Sequence, residues 1–191
     1  MSLIMGLLFL LIVGYYIYKF IEVIIEMKNE IILPITEEDI SDIRKYPQKE
    51  VDYPVYSKQR VGIILYAFLL LFPAIIIIVG MFFQMDNWYL YPMVVLPLTY
   101  STDVLNLFAI TKDGILSGNS FIPWKKIKSY DFYPIDINHR YYGHSREVND
   151  RYELIIRSKV RRLSCVVTSD DMKEKLDRLL EEYIGTSKQR D

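Results

Sequence analysis

Between Val61 and Phe83 the chain reads VGIILYAFLLLFPAIIIIVGMFF, and no side chain in that run is charged. About 20 apolar residues suffice for a helix to cross a hydrocarbon core of roughly 30 Å, so this run is long enough to span with some tilt. Gln84 to Asn87 close it, and a second apolar segment, WYLYPMVVLPLTY, begins at Trp88. Two spans joined this closely predict a helical hairpin. A further span is expected near the amino terminus, where Leu3 to Tyr18 is apolar throughout. That segment lacks the preceding basic residues and the small-residue cleavage site of a signal peptide, so it reads as an uncleaved anchor. Lys19 would snorkel, and Tyr15, Tyr16 and Tyr18 would lie in an interfacial belt. Glu22 and Glu26 follow one turn apart among Phe20, Val23, Ile24 and Met27, which predicts a helix running on into water with an apolar stripe.

Lysine and arginine set the expected orientation. Lys28, Arg44, Lys45, Lys49, Lys58 and Arg60 fall in the loop before the long run, the turn at Gln84 to Asn87 has neither type, and both are frequent after Ile110. The positive-inside rule then places the amino terminus outside, the first loop inside, the hairpin turn outside and the carboxyl-terminal part in the cytoplasm. Trp88, Tyr89 and Tyr91 would form the outer aromatic belt. The expected location is therefore a cell membrane, crossed three times, with the lipid bilayer as the first partner.

The 51% hydrophobic content of the 191 residues is concentrated in the first 110 positions, so the average hides two materials. A net charge of −1 supplies no field that would draw in nucleic acid. The single cysteine, Cys165, has no internal disulfide partner and reads as a small buried side chain.

From Trp88 to Thr102 a helix would cover only about 22 Å, less than the hydrocarbon thickness. Either it continues through Asp103 to Ile110, or it stops near Asp103 and Leu105 to Ile110 begins a sheet. The alternation in LNLFAIT and the Lys112-Asp113-Gly114 turn that follows favour the strand. Asp103 is the one acidic residue that could lie at membrane depth, where a carboxylate serves as a proton or cation site. A helix ending there would instead put it at the inner headgroup level. Pro73, Pro92 and Pro97 are read as ordinary membrane-helix kinks.

The loop ILPITEEDISDIRKYPQKEVDYPVYSKQR is polar and carries Pro34, Pro47 and Pro54. Thr36 is placed to cap a short helix with Glu37, Glu38 and Asp39 in its first turn. The segment is expected to be a connector packed on the cytoplasmic domain, with a docking arm as the alternative.

After Thr111 short alternating segments replace the lipid-facing runs. Strands are expected at Ile115 to Ser117, around Phe121 and Ile122, and at Lys128 to Tyr133, with Pro134 ending the last. A polar loop then runs to Asp150. A hairpin of Tyr152 to Arg157 and Val160 to Thr168 turns at Ser158-Lys159. The last element is a helix in which Met172, Leu176, Leu179, Leu180, Tyr183 and Ile184 recur at helical spacing, capped by Thr168 or Ser169 and ended by Gly185. The product is an α+β domain, an antiparallel sheet of about five strands with one C-terminal helix on a face.

The string ITKDGILSGNSFIPWKKIKSYDFY, a Gly-turn hairpin followed by the aromatic of IPW and a further Ile, resembles the bacterial PH-like domains that follow a two-helix membrane hairpin in small YcxB-like membrane proteins. The resemblance runs from roughly Asp103 to Ile184. It implies an open PH-like sheet at the cytoplasmic face, since such barrels have seven strands, and it transfers a fold and a location without catalytic residues.

Lys125, Lys126 and Lys128 flank Trp124, and Arg161 and Arg162 lie on the later hairpin beside Arg157 and Lys159. A sheet under a bilayer could hold anionic headgroups with such a patch, at about 1 kcal/mol per basic residue. Solvated charge is the plainer reading of these residues, and core packing that of Trp124. His139 and His144, with Asp136 and Glu147, match no compact metal spacing. No phosphate loop, dinucleotide fingerprint, serine elbow or HExxH occurs, so neither catalysis nor a cofactor is expected.

The expected organisation is an anchor at 1–27, a connector at 28–60, the hairpin at 61–103, the PH-like domain at 104–185 and a tail at 186–191. The expected role is a non-enzymatic interaction or regulatory module at the inner face, engaging a protein partner, a second copy or anionic lipid headgroups. A transporter or channel subunit using Asp103 is the alternative.

Overall fold

In a computed structural model that describes residues 2–84, 88–101, 103–159 and 161–188, the uncharged run becomes most of α3 (Tyr56–Phe82), 27 residues long. The first apolar segment becomes α1 (Ser2–Glu26). Both helices are long and apolar enough to cross a membrane. Gly6 of α1 faces Met81 of α3, and the Phe20 ring meets that of Tyr66 edge-on at 4.8 Å, so the two run antiparallel. Val13, Val23, Leu70 and Ile77 are buried, while Leu7, Leu11, Ile64, Phe68, Ile75 and Ile78 are exposed. An apolar outer surface of that extent is at rest against lipid and costly against water. Of the turn expected at Gln84 to Asn87 only Gln84 is among the described residues; Thr102, Val160 and residues 189–191 of the tail also lie outside them.

The third segment is short, as its sequence predicts, and does not show a third span. A 3-10 turn at Trp88–Leu90 leads into α4 (Tyr91–Tyr100), whose 10 residues rise only about 15 Å, half a hydrocarbon core. Two apolar helices are of membrane length, and α4 packs beside them, with the Tyr91 ring 6.0 Å from that of Phe9. Asn119 donates to the Ser101 carbonyl at 2.5 Å and accepts the Leu105 amide at 3.0 Å, which ties the end of α4 to the turn between the later strands.

Two short pieces of the connector and the chain after Leu107 build two antiparallel sheets. Counting along the chain, the strands are β1 (Ile31–Leu33), β2 (Ile43–Tyr46), β3 (Lys49–Glu50), β4 (Phe108–Thr111), β5 (Gly114–Ser117), β6 (Ser120–Pro123), β7 (Ile127–Pro134), β8 (Tyr152–Ser158) and β9 (Arg162–Val167). The first sheet has the order β1-β4-β5-β6 and the second β3-β2-β9-β8-β7. Residues 28–60 are therefore not a separate connector. β1 pairs with β4, and β2 pairs with β9, so the domain boundary expected at residue 60 cuts through both sheets. Between β1 and β2, α2 (Glu37–Ser41) is capped as its sequence predicts, Thr36 accepting the Asp39 amide while the Asp39 carboxylate accepts the Thr36 amide.

The first sheet is buried on both faces. Leu107, Ala109, Leu116 and Phe121 pack against α1, α3 and α4, whereas Phe108, Ile110, Ile115 and Ile122 face a core shared with the second sheet and α5 (Asp170–Lys188). From α5, Met172, Leu176, Leu180 and Ile184 enter that core. The Ser169 hydroxyl accepts the Met172 amide and caps the helix start. Gly185 does not end it, because the helix continues to Lys188. The polar stretch after Pro134 is also more ordered than its composition predicts: Ile135 and Val148 are buried with Val166 over the outer face of the second sheet.

Candidate functional site

Where α1 passes the edge strand β6, a cleft of about 380 Å³ opens between the membrane helix and the sheets. Tyr15 and Lys19 of α1 form one wall, and Phe121, Ile122 and Pro123 of β6 form its floor. Lys125 and Lys126, on a 3-10 turn at Trp124–Lys126, and Lys128 at the start of β7 form a second wall. Ser158, Lys159 and Arg161, at the β8–β9 turn, complete it. The six basic residues Lys19, Lys125, Lys126, Lys128, Lys159 and Arg161 meet no carboxylate among the lining residues.

Local structure explains why these charges converge. Pro123 carries the chain out of β6 in extended conformation, and the 3-10 turn reverses it so that Lys125 and Lys126 project outward while Trp124 turns in. The β8–β9 turn is tied by Ser158, whose amide donates to the Arg161 carbonyl at 2.8 Å and whose hydroxyl accepts the Arg161 amide at 3.0 Å. The Arg161 guanidinium then reaches across to the Ser120 hydroxyl at 2.7 Å, bridging the two sheets at the cleft. Lys19 is held by Glu22 at 2.5 Å, one turn further along α1.

Of the residues singled out in the sequence, Lys125, Lys126, Lys128 and Arg161 line this cleft. Trp124 does not. It is buried, its ring stacks on Tyr183 at 4.9 Å, and its indole donates to the carbonyls of Thr111 and Lys112 at 3.3 and 3.0 Å, so it fastens α5 to the first sheet. Arg162 also stays outside the lining, exposed on β9 opposite Arg157. Sequence reasoning missed Tyr15 and Ser158 as members of the site, and it placed Lys19 at an interface without joining it to the later lysines and Lys159. No signal within either stretch alone reveals that β6 lies against α1.

Asp103 lies in the turn after α4, and its carboxylate pairs with Lys45 at 2.9 Å. Lys45 is buried and also donates to the Ser117 hydroxyl at 2.7 Å, so the pair joins β2, β5 and the end of the hairpin. His139 and Arg140 both bond the buried Glu153, at 3.0 and 2.6 Å, which directs them to the sheet. Among the described residues no group of three or more His, Cys, Asp or Glu side chains is placed to hold a metal ion.

The stretch from Asn106 to Gly185, which supplies β4 to β9, one side of the cleft and nearly all of α5, has a counterpart among known domains. Residues 106–185 match DUF5673, a domain of unknown function. The DUF5673 region follows the two apolar helices and leaves out β1, β2 and β3, which complete its sheets. No curated protein and no solved structure matches the chain.

Proposed function

We propose that this chain is a multi-pass integral membrane protein whose cytoplasmic module, PH-like in its pair of antiparallel sheets and terminal helix, holds anionic lipid headgroups in the cleft between α1 and β6. The carrying observation is that one wall of a cleft lined by six basic residues is the apolar helix itself. From Leu3 to Tyr18 is about 24 Å along a helix, so if α1 spans, Tyr15 and Lys19 lie at the inner headgroup level, where phosphates are found. The excess of lysine and arginine around the sheets supports a cytoplasmic position. Binding, and not catalysis, is the role such a site supports, and regulation through a protein partner or a second copy belongs to the same reading. The pairing of Asp103 with Lys45 lends no support to a transporter or channel subunit built on Asp103.

The test is the lipid that accompanies the protein out of the membrane. Gentle detergent extraction followed by lipid analysis should show anionic phospholipid enriched over the bulk membrane, and Lys125→Gln with Lys126→Gln should reduce that enrichment. Lipid at bulk composition in both proteins, or a carboxyl-terminal reporter active only outside the cell, would overturn the proposal.

A further inference from the structure

We infer that the inner boundary of the bilayer is stepped around this protein. Beside the cleft it lies about 10 Å nearer the membrane centre than on the far side of α1 and α3, so a lipid meets the cleft sideways, from a locally thinned inner leaflet. This rests on the reading of α1 and α3 as spans and states where that reading's headgroup enters.

Two contacts fix how the spans lie beside each other. Gly6 against Met81 and Phe20 against Tyr66 put Lys19 level with Ala67, and Glu26 level with Arg60. Arg60 is the last charge before the uncharged run of α3, so Lys19 stands seven residues, about 10 Å along a helix, inside the depth that run occupies. Val61, Ile64 and Phe68 fall in or beside that interval on α3 and are exposed, a surface at rest against hydrocarbon. A flat boundary suits only one of the two helices. Drawn at Arg60 it sinks Lys19 and Glu22 into hydrocarbon, and drawn at Lys19 it leaves Val61 and Ile64 in water.

Both boundaries are written on α1, on different faces. Tyr15, Lys19, Glu22 and Glu26 recur at spacings of four, three and four and so form one stripe, of which Tyr15 and Lys19 line the cleft. Tyr18, Ile21 and Ile25 form a second stripe about a third of a turn away, exposed and carrying no charge down to the level of Val61. On the cleft side protein takes the place of inner-leaflet lipid. Phe121 of β6 is buried in one core with Phe20 and Tyr66 and lines the cleft with Lys19, so the first sheet stands beside α1 at that depth and not beneath it. The short α4 ends where the sheet begins, its Ser101 carbonyl bonded to Asn119 between β5 and β6.

Nitroxide labels on single cysteines read the step directly, in the full-length protein carrying Cys165→Ala in nanodiscs of dioleoyl phosphatidylcholine and dioleoyl phosphatidylglycerol. Oxygen concentrates in hydrocarbon and a nickel chelate in water, so the ratio of their collision rates reports what surrounds each label. Oxygen is expected to dominate for Ile25→Cys, Ile64→Cys and Ile75→Cys, the last exposed in the middle of the run. The chelate is expected to dominate for Lys19→Cys and Glu22→Cys, although both lie further from the cytoplasmic end of α1 than Ile25. Lys19 and Glu22 report the same face independently, so a variant that fails to fold leaves the other to decide. The chelate dominating at Ile25 and Ile64 as well, with oxygen at Ile75, means a flat boundary and overturns the inference while headgroup binding stands. Oxygen dominating at all five positions overturns both, because the cleft would then open into hydrocarbon. A label at Ile25 reached by neither reagent means a second copy covers that stripe, which also overturns the inference. The chelate dominating at Ile75 would remove the spans themselves, and both readings with them.

Discussion

Asp39 shows how one side chain can tie together elements far apart in sequence. Its carboxylate accepts the amides of Ile35 and Thr36, closing the cap of α2, and it receives the Lys175 ammonium of α5 at 2.6 Å. Burial alone would raise its pKa, but the Lys175 hydrogen bond and the two amides outweigh it and hold the carboxyl below its ordinary value of 3.8. A carboxylate with a lowered folded pKa contributes stability that is fully present above the unfolded value and lost as pH falls through the folded one. Asp39→Asn should therefore cost about 1–2 kcal/mol at pH 7. In thermal unfolding scans the gap to the parent protein should close as pH is lowered beneath the carboxylate range. Cys165 makes the opposite case: burial pushes its thiol up to about 12, with Lys45 opposing and Glu153 adding to the rise. Because the thiolate is the reactive form, maleimide at pH 7.5 should leave Cys165 unlabelled in the folded protein and label it fully in denaturant.

At the scale of elements, the helices and strands after residue 110 follow from periodicity, turn glycines and caps that are local in sequence. Ile127–Pro134 and Tyr152–Ser158 fall within a residue of where alternation places them, and Thr36 caps α2. What sequence alone did not yield was pairing across distance. β1, IIL, is apolar but only three residues long, and β2 includes Arg44 and Lys45; neither is long or alternating enough to announce a strand before its partner is known. The shortness of the third segment was legible from its length, but the Asn119 side chain that bonds the Ser101 carbonyl from beyond the next two strands was not. The cleft was half legible: its lysines are near one another in sequence, while its membrane wall is not. The hairpin of β4 and β5 also carries its own constraint. A Cβ on Gly114 would overlap the Ile122 carbonyl and come within 2.8 Å of the Phe121 ring, both on β6. Gly114→Val should destabilise by about 1–3 kcal/mol or more through overpacking, read as a lower melting temperature of the purified protein.

Over the whole molecule, the double-faced first sheet joins hairpin and domain into one packed body. Phe121 and Leu116 enter the helix core, while Ile115 and Ile122, their neighbours in the same strands, enter the domain core. Removing the helices would expose the first set of side chains, and removing residues 28–60 would strip one strand from the first sheet and two from the second. A fragment of residues 106–185 expressed alone should accumulate as aggregate, whereas one of residues 2–188 that keeps α1, α3 and the first three strands should be extracted folded from membranes by mild detergent. A soluble, monomeric 106–185 fragment with cooperative unfolding would contradict that account. The same sheet also bears on how such a protein can be rearranged in evolution. A recombination joint placed at the start of the DUF5673 match would part Ile31–Leu33 from Phe108–Thr111 and Ile43–Tyr46 from Arg162–Val167, leaving each descendant with unpaired backbone edges. The unit that can be exchanged between genes without loss is thus wider than the segment by which its kinship is recognised.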